Sequence, residues 1–427
     1  MQELRVTSLD EAFVNLANDA VMSVHFEVRV AGRLDADKLT RAIKEAMAAH
    51  PLSRARLRAP TLGTRTLTWQ IDDEADFFAL EVVDGPAGPA RDRLQSLSPD
   101  LSASPPFRAM LVREDGGDRL ILNCHHAAFD GMSAMRFTTS IAQAYAGDPI
   151  DLDGPTLEDA RNLRKLVGSR SIEDLKPRVA KVGKDILNRR RIARLAPEGG
   201  MQTGRDHIVS HLKLTADEVA TVSGKRPKGA TLNDVAIAAH ALTIIGWNAG
   251  RDVKPADTVS VLMPVNLRAK EWSNHVVSNF ASYLTIFVPT DVTDLTTATE
   301  IVRDETQLVK ENGAAGWIVD ILEPGNKLPA ALKRGLTSML PLVERQFVET
   351  TALSNLGRLA IPDFGDAGAV TEAWFSPPPL SPTVPIALGV AGLGREMFPG
   401  FPGGRRALDA TAVDRFAASY RTTLLEG

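Results

Sequence analysis

His125 and His126, followed by Asp130 and Gly131, are the residues of this chain whose types and spacing could do chemistry. They form the stretch HHAAFDG, which has the form HHxxxDG. Successive residues of a strand point to opposite faces, so the two histidines cannot share a role. A neutral imidazole with a pKa near ~6.5 can take a proton from an alcohol or an amine. We predict that His126 is a general base facing a cleft and that His125 packs as a structural residue.

The elements on either side place this motif at a turn between a strand and a helix. Upstream, RLILNC at Arg119–Cys124 is typical of a strand, and downstream Gly131–Tyr145 has apolar residues at helical spacing. Asp130 lies at the turn. It could hold the turn through a buried ion pair, or cap the helix by accepting from the backbone amide of Ser133. Both readings stay open from the motif alone.

Other chemistries fit these residues less well. A metal site made of His125, His126 and Asp130 is disfavoured because adjacent strand residues diverge, and no further ligand cluster with recognised spacing occurs. Cys124 as a nucleophile is also disfavoured, since a single cysteine at the end of an apolar strand is usually a core residue. A purely structural histidine pair with a plain aspartate cap remains an alternative.

Composition narrows the class of protein. With 427 residues the chain is long enough for two domains, and 44% hydrophobic and 24% charged residues are typical of a soluble globular protein. A net charge of −4 argues against nucleic-acid binding by the chain as a whole. One cysteine excludes an intramolecular disulfide and favours a reducing compartment. The sequence shows neither a signal peptide nor a membrane-spanning segment, which predicts a cytoplasmic protein.

The pattern of strands and helices predicts an α/β fold in three parts. These are an N-terminal domain over residues 1–155 that carries the motif, a basic helical linker over 156–200, and a C-terminal α/β domain over 201–427. The proline-rich stretch Ser376–Pro385 predicts an extended crossing loop. In the N-terminal domain we predict strands at Ser23–Val30, Thr66–Ile71, Phe107–Val112 and Arg119–His126, and helices near Asp35–His50 and Ala90–Ser96.

The linker is strongly basic. Between Thr156 and Glu198 stand twelve basic side chains, among them Arg161, Arg191 and Arg194, against six acidic ones. A solvated helix pair would have this composition. The same charge could attract an acidic carrier protein, the phosphates of CoA or an anionic membrane surface.

HHAAFDG resembles the signature of the superfamily of acyltransferases that depend on CoA or a carrier protein. This superfamily includes chloramphenicol acetyltransferase, condensation domains of nonribosomal peptide synthetases, polyketide-associated acyltransferases, and wax ester synthase/diacylglycerol acyltransferases. PPFR at Pro105–Arg108 is closer to condensation domains than to the wax ester synthases, and the DFGWG motif of the plant enzymes is absent. Further resemblances follow in the expected order: SLDEAF at Ser8–Phe13, PPFRAMLV at Pro105–Val112, GATLNDVAIAAHALTI at Gly229–Ile244, VLMPVNLR at Val261–Arg268, SNFASYLTIFVP at Ser278–Pro289 and SNLG at Ser354–Gly357.

The resemblance implies a fold and a site. The fold would be two chloramphenicol-acetyltransferase-like α/β sandwiches arranged as a V, with a central tunnel and His126 near its middle. An arginine at or near Arg268 would pair with Asp130, since an unpaired buried carboxylate is costly. Ser354 and Asn355 could donate toward an oxyanion or line the tunnel, and ordinary strand and turn roles stay open for both.

The resemblance also implies a reaction. His126 would help transfer an acyl group from a CoA or phosphopantetheinyl carrier thioester to an alcohol or amine acceptor, with ester formation favoured and with no metal or redox cofactor. One alternative is a wax ester synthase or diacylglycerol acyltransferase that uses long-chain acyl-CoA. Another is a catalytically silent, condensation-like protein that docks a carrier protein. Epimerisation or cyclisation on the same scaffold is a further alternative.

Overall fold

In a computed structural model, the described residues of the chain form three β-sheets covered by helices. The structure describes residues 1–17, 20–61, 63–167, 191–200, 207–272, 275–311, 316, 319–320, 322, 328–330, 332–333, 349–378 and 384–427.

A five-stranded sheet carries the histidine motif on its central strand. Its spatial order is β12-β2-β7-β6-β5, and all neighbours are antiparallel except the parallel pair β5–β6. The strands are β2 (Ser23–Val30), β5 (Glu81–Asp84), β6 (Phe107–Arg113), β7 (Arg119–His125) and β12 (Val370–Ser376).

A six-stranded sheet forms the second half, in the order β10-β9-β11-β13-β14-β8. Its strands are β8 (His207–His211), β9 (Thr258–Asn266), β10 (Ala281–Pro289), β11 (Thr351–Leu359), β13 (Ala387–Leu393) and β14 (Glu396–Gly404). A small third sheet has the order β1-β4-β3 and consists of β1 (Gln2–Arg5), β3 (Ala55–Leu57) and β4 (Thr68–Ile71).

Ten α-helices lie within the described residues. They are α1 (Ser8–Leu16), α2 (Ala36–Ala49), α3 (Ala87–Gln95), α4 (Gly131–Ala146), α5 (Leu157–Ala160), α6 (Leu163–Leu166), α7 (Ala216–Gly224), α8 (Leu232–Asn248), α9 (Leu295–Glu311) and α10 (Ala410–Glu426). None of these helices has the length and apolar character needed to cross a bilayer.

Strand alternation on β7 separates two cores. Leu122 and Cys124 point to the main core under α2 and α4, which also holds Phe137. Ile121 points to the other face, where it packs under α3, and the Asn123 amide donates to backbone carbonyls at the end of α3. The two faces of β7 therefore differ, as the period of a strand predicts.

The core of the second half forms between the six-stranded sheet and helices α8 and α10. Helix α8 begins with a capping box in which Thr231 and Asp234 bond to each other's backbone amides. It is apolar on nearly all sides, as expected for a buried helix. The histidine on α8, His240, bonds Thr351 Oγ1 at 2.8 Å and packs at right angles against Phe416. His240 is therefore a core residue of the second half.

The expectation of a mixed α/β fold with two sheet-based halves is confirmed. Predicted elements of the first half recur with small shifts: β2 has the predicted bounds, β4 begins two residues later, and β7 ends at His125, one residue early. The division at residues 155 and 200 stays a prediction. One strand crosses it, because β12 lies late in the chain yet completes the first sheet by pairing with β2.

Candidate active site

The histidine motif lies in a tight turn between β7 and α4. The amide of His125 donates to the carbonyl of Pro106, and the amide of His126 donates to the carbonyl of Met22, both at 2.9 Å. The amides of Ala128 and Phe129 then fold back onto the carbonyl of His125 at 3.0 Å. Backbone hydrogen bonds therefore stabilise the turn independently of the side chains of the motif.

His126 is a partly exposed imidazole covered on one side by a phenyl ring. Phe13 of α1 stacks on it with ring centroids 3.8 Å apart and planes 12° apart. Nδ1 is buried and lacks a partner in hydrogen-bond geometry among the described residues. Burial lowers the pKa of His126, while its own backbone, the charge of Asp130 and the backbone of Phe129 oppose this. The ring is therefore held neutral, as a base requires.

His125 occupies a different environment. It is buried, and its Nδ1 accepts a hydrogen bond from the amide of Ala127 at 3.1 Å. Nδ1 must therefore be unprotonated, which places the proton of the neutral ring on Nε2. Burial, with a smaller contribution from His126, lowers the pKa of His125 to about 3. Its neutral ring stabilises the turn through the hydrogen bond from the amide of Ala127.

Asp130 acts both as a helix cap and as an ion-pair partner. Its Oδ1 accepts from the amide of Ser133 at 2.8 Å, and its Oδ2 accepts from the amide of Phe280 at 2.8 Å. Arg268 donates to both carboxylate oxygens, at 2.7 and 2.9 Å. Burial alone would raise the pKa of Asp130, but the charge and hydrogen bonds of Arg268 and the two amides hold it below its usual value. The two readings left open by the motif are therefore both realised.

Arg268 ties the motif to the second half of the chain. Its Nη2 also donates to Ser133 Oγ at 2.7 Å and to the carbonyl of Ser278 at 2.9 Å, and its Nη1 donates to Asn266 Oδ1 at 3.1 Å. The guanidinium lies 4.4 Å from the centroid of the Phe280 ring. The Arg268 side chain is only 1% exposed. Asn266 Oδ1 thus helps to hold the arginine side chain in place.

The hydrogen-bond network continues to the first helix. Ser278 Oγ accepts from Arg161, whose Nη2 donates to Asp10 Oδ2 at 2.6 Å and to the carbonyl of Arg5 at 2.9 Å. Trp69 Nε1 donates to the same Asp10 oxygen at 3.2 Å. Sequence reasoning gave Asp10 no role, although it is the aspartate of SLDEAF.

The interpretation of Arg161 as a solvated or donor-attracting charge is wrong. It is 6% exposed, because its charge is used inside the protein to bind Asp10. Of the other linker residues, Arg191 is exposed and lies 3.4 Å from Asp257. Arg189 and Arg190 lie outside the described residues, and recruitment of an anionic donor by this segment stays a prediction.

Gly131 begins α4 where the two halves of the chain meet. A Cβ at this position would lie 2.7 Å from Cδ2 of Leu356 on β11 and 2.9 Å from the ring of Phe375 on β12. Only glycine lets both strands approach the start of the helix this closely. Asp130 and Gly131 of the motif are therefore each required by a different structural feature. Asp130 forms the ion pair with Arg268, and Gly131 allows this close approach.

Ser354 and Asn355 lie on β11, just before Leu356. Ser354 is nearly buried and stands opposite Gly389 of β13. Asn355 Oδ1 accepts from the amide of Gly357 at 2.8 Å, and its Nδ2 donates to Asn233 at 3.2 Å. These contacts give Asn355 a turn role. Within the described part of the chain no hydrogen bond joins either residue to His126, and an oxyanion role for them stays a prediction.

Cys124 and the carboxylate of the motif are both committed to structural roles. Cys124 is fully buried, and burial raises the pKa of its thiol far above neutrality. Throughout the described ranges, no three His, Cys, Asp or Glu side chains come together as metal ligands would. Asp130, which would have to complete such a set with the two histidines, is already bound by Arg268.

Comparisons with known proteins agree with this arrangement. A family model for the condensation domain matches residues 15–158. The chain is 49% identical over 426 residues to the uncharacterized protein Rv2305 of Mycobacterium tuberculosis strain H37Rv, covering 99% of both chains.

Among solved structures, similarity extends over the whole fold. The starter condensation domain of rhizomide synthetase, a mutant in complex with C8-CoA and Leu-SNAC, has a TM-score of 0.70 at 14% identity and covers 99% of this chain and 94% of its own. The trichothecene 15-O-acetyltransferase TRI3 of Fusarium sporotrichioides has a TM-score of 0.70 at 11% identity, over 99% and 95%. This chain therefore shares its fold with condensation domains and with an O-acetyltransferase, and its residues 15–158 match the condensation-domain family.

Proposed function

We propose that this protein transfers an acyl group from a thioester to a hydroxyl or amine acceptor, with His126 as the general base. The observation that carries the proposal is the state of that imidazole. It is partly exposed and held neutral, and it lies one turn before a buried Asp130–Arg268 pair where the two halves meet. A neutral base at the junction of two lobes suits a reaction that joins two substrates entering from different sides.

The chemical steps follow from one nitrogen. Nε2 of His126 takes the proton from the acceptor hydroxyl as its oxygen attacks the thioester carbonyl. The tetrahedral intermediate collapses, the carbon–sulfur bond breaks, and the thiolate leaves. The proton held on His126 then passes to the thiolate, so the products are an ester and a free thiol. An amine acceptor would give an amide by the same steps. A thiolate is a good leaving group, so no second acid is required.

Asp130 and Arg268 have a supporting role in this proposal. Their charges neutralise each other, and the carboxylate is committed to four hydrogen bonds. Neither group is free to exchange protons with a substrate, and both hold the turn that aims His126. Loss of either should lower activity through the geometry of the turn.

The thioester donor is proposed from the relatives. The rhizomide synthetase domain, whose fold this chain shares, was solved in complex with C8-CoA and Leu-SNAC. In both compounds a thiol carries the acyl group. TRI3 is an O-acetyltransferase by name, which supports ester formation. We propose CoA or an acyl- or peptidyl-carrier protein as the carrier of the acyl group.

Release of free thiol tests the proposal. Wild-type protein is incubated with acyl-CoA and acyl-carrier thioesters, with and without alcohol and amine acceptors. We expect acceptor-dependent thiol release that falls ~10²–10⁴-fold in His126→Gln. His275→Gln is the matched control, because His275 is also partly exposed but is not part of the site, and it should retain activity.

Two outcomes would contradict the proposal. Near-normal thiol release by a folded His126→Gln protein would remove His126 as the base. Tight binding of a thioester without thiol release from any donor, under any acceptor, would instead identify a silent carrier-docking protein. Product analysis distinguishes storage-lipid esterification from other acylation. An enzyme of storage-lipid synthesis would turn over only long-chain acyl-CoA with a long-chain alcohol or diacylglycerol.

A further inference from the structure

We propose that Phe13 is a positioning residue for His126, which it holds in one ring plane by stacking. This inference rests on the proposed function, and it assigns a role to the SLDEAF segment that the reaction scheme does not use. The carrying observation is the parallel stack of the two rings, 3.8 Å apart with planes inclined by 12°.

A catalytic imidazole needs its ring plane fixed so that one nitrogen meets the substrate. In many enzymes a third group hydrogen-bonds the distal nitrogen and fixes the ring. Nδ1 of His126 is buried, and the hydrogen-bonding groups that act on this ring among the described residues are the backbone of His126 itself and of Phe129. The neighbouring carboxylate, Asp130, is bound by Arg268, Ser133 and Phe280. No described side chain orients this imidazole by a hydrogen bond.

Phe13 restricts the orientation of the His126 ring by covering one of its faces. A phenyl ring at this distance blocks rotation of the imidazole about its Cβ–Cγ bond, since turning would drive the ring edge into the phenyl face. The stack covers a face of the imidazole and not the edge that carries Nε2. The stack therefore fixes the plane of the His126 ring without covering Nε2.

Phe13 can do this only if α1 is itself held in place. Nine-residue helices are marginal alone, and α1 is fixed at its start by a capping box between Thr7 and Asp10. The same Asp10 is bound by Arg161, which also reaches Ser278. The network that holds the Asp130–Arg268 pair thus also holds the helix that carries Phe13.

The charges around His126 are accounted for. Asp130 is the charged group that acts on the pKa of His126 from the turn itself, where His125 lies as a neutral ring. On α1, which packs against it, Asp10 is paired with Arg161 and Glu11 with Lys333. Phe13 adds no charge, so its effect on protonation is exclusion of water. Removing it should let water reach the imidazole and move the pKa of His126 upward toward the value of an exposed histidine.

Three variants separate stacking from mere packing. Phe13→Tyr keeps a flat ring, and Phe13→Leu keeps apolar bulk without one. Phe78→Ala is the matched control, since Phe78 is a partly buried phenyl on the same core that packs on Phe107 instead. We expect kcat to fall ~10-fold or more in Phe13→Leu with KM little changed, and to recover in Phe13→Tyr. Because the base must be neutral, the acidic limb of the pH–rate profile should move to higher pH in Phe13→Leu.

A second readout needs no substrate. Diethyl pyrocarbonate reacts with neutral, accessible imidazole, and peptide mass mapping gives the rate at His126. We expect faster modification of His126 at pH 7.5 in Phe13→Leu than in wild type, Phe13→Tyr or Phe78→Ala. An unchanged rate in Phe13→Leu would overturn the proposal whether or not acyl transfer is detected. A faster rate without any thiol release would support the role of Phe13 and reject the reaction, and equal kcat losses in Phe13→Leu and Phe13→Tyr would reject stacking.

Discussion

Replacing Arg268 by methionine should strongly destabilise the protein through its effect on Asp130. The substitution keeps an unbranched apolar side chain but leaves the buried carboxylate with only the amides of Ser133 and Phe280. Breaking a buried pair by removing one partner costs about 3–5 kcal/mol, a large part of the 5–15 kcal/mol that typically separates folded from unfolded proteins. Urea unfolding followed by circular dichroism should show a loss of this size at pH 7.

The reason for the loss can be tested with a second change. In Asp130→Asn the side-chain oxygen can still accept from the Ser133 amide, but the charge is gone. The double variant Asp130→Asn/Arg268→Met should therefore be more stable than Arg268→Met alone, since no uncompensated charge remains. As a surface control, Arg58→Met removes an ion pair with Glu3 in which both side chains are about half exposed, and should cost at most about 1 kcal/mol.

The dependence on pH has a defined sign. In the wild type the pKa of Asp130 is lowered by folding, so its contribution to stability is present above ~3.9 and is lost as the pH falls through the lower folded value. In Arg268→Met burial dominates and raises this pKa above ~3.9, so protonation relieves the folded state first. The stability gap between wild type and variant should narrow as the pH falls from 7 toward 4.5. A loss under about 1 kcal/mol, or a gap independent of pH, would refute this reasoning.

Two further predictions concern the remainder of the fold. Gly389→Ala should prevent folding into a soluble protein, because its Cβ would overlap the backbone carbonyl oxygen of Phe375. Gly404→Ala should be tolerated, because its Cβ would lie 3.8 Å from the carbonyl oxygen of Pro385. Equal soluble yields of the two variants would contradict this prediction. Burial lowers the folded pKa values of His50, His125 and His240 to about 3. Below pH ~6.5 the unfolded chain therefore binds more protons than the folded protein. The free energy of unfolding should decline as the pH falls, by up to about 1.4 kcal/mol per pH unit for each histidine. His240→Gln should reduce this slope in urea titrations at pH 4–7, and an unchanged slope would show that His240 does not contribute.

The parts of the site that could be predicted were those encoded locally. Strand alternation separated the environments of the two histidines, and the turn position of Asp130 indicated its cap to Ser133. The contact between Asp130 and Arg268 came from resemblance, since no local pattern joins residues so distant in sequence.

The contacts that were missed are long-range. Phe13 is one apolar residue of a short helix, and nothing in its neighbours indicates that it lies over His126. Arg161 was counted with a run of basic residues because composition does not distinguish a buried guanidinium from a solvated one. Its only local signal is its place in a segment with Leu163 and Val167, both of which are also buried.

Strand β12 has a consequence for how the chain acquires its structure during synthesis. It supplies the edge of the first sheet next to β2, with Trp374 paired to Glu27, so these partners leave the ribosome nearly a whole chain length apart. The first sheet cannot be completed, and Phe375 cannot close over Gly131, until β12 has been synthesised. Non-local pairing of this kind slows folding, and until β12 arrives the edge of β2 is open to other strands. Formation of the site is thereby coupled to synthesis of β12, so a product truncated before Val370 would lack a finished site.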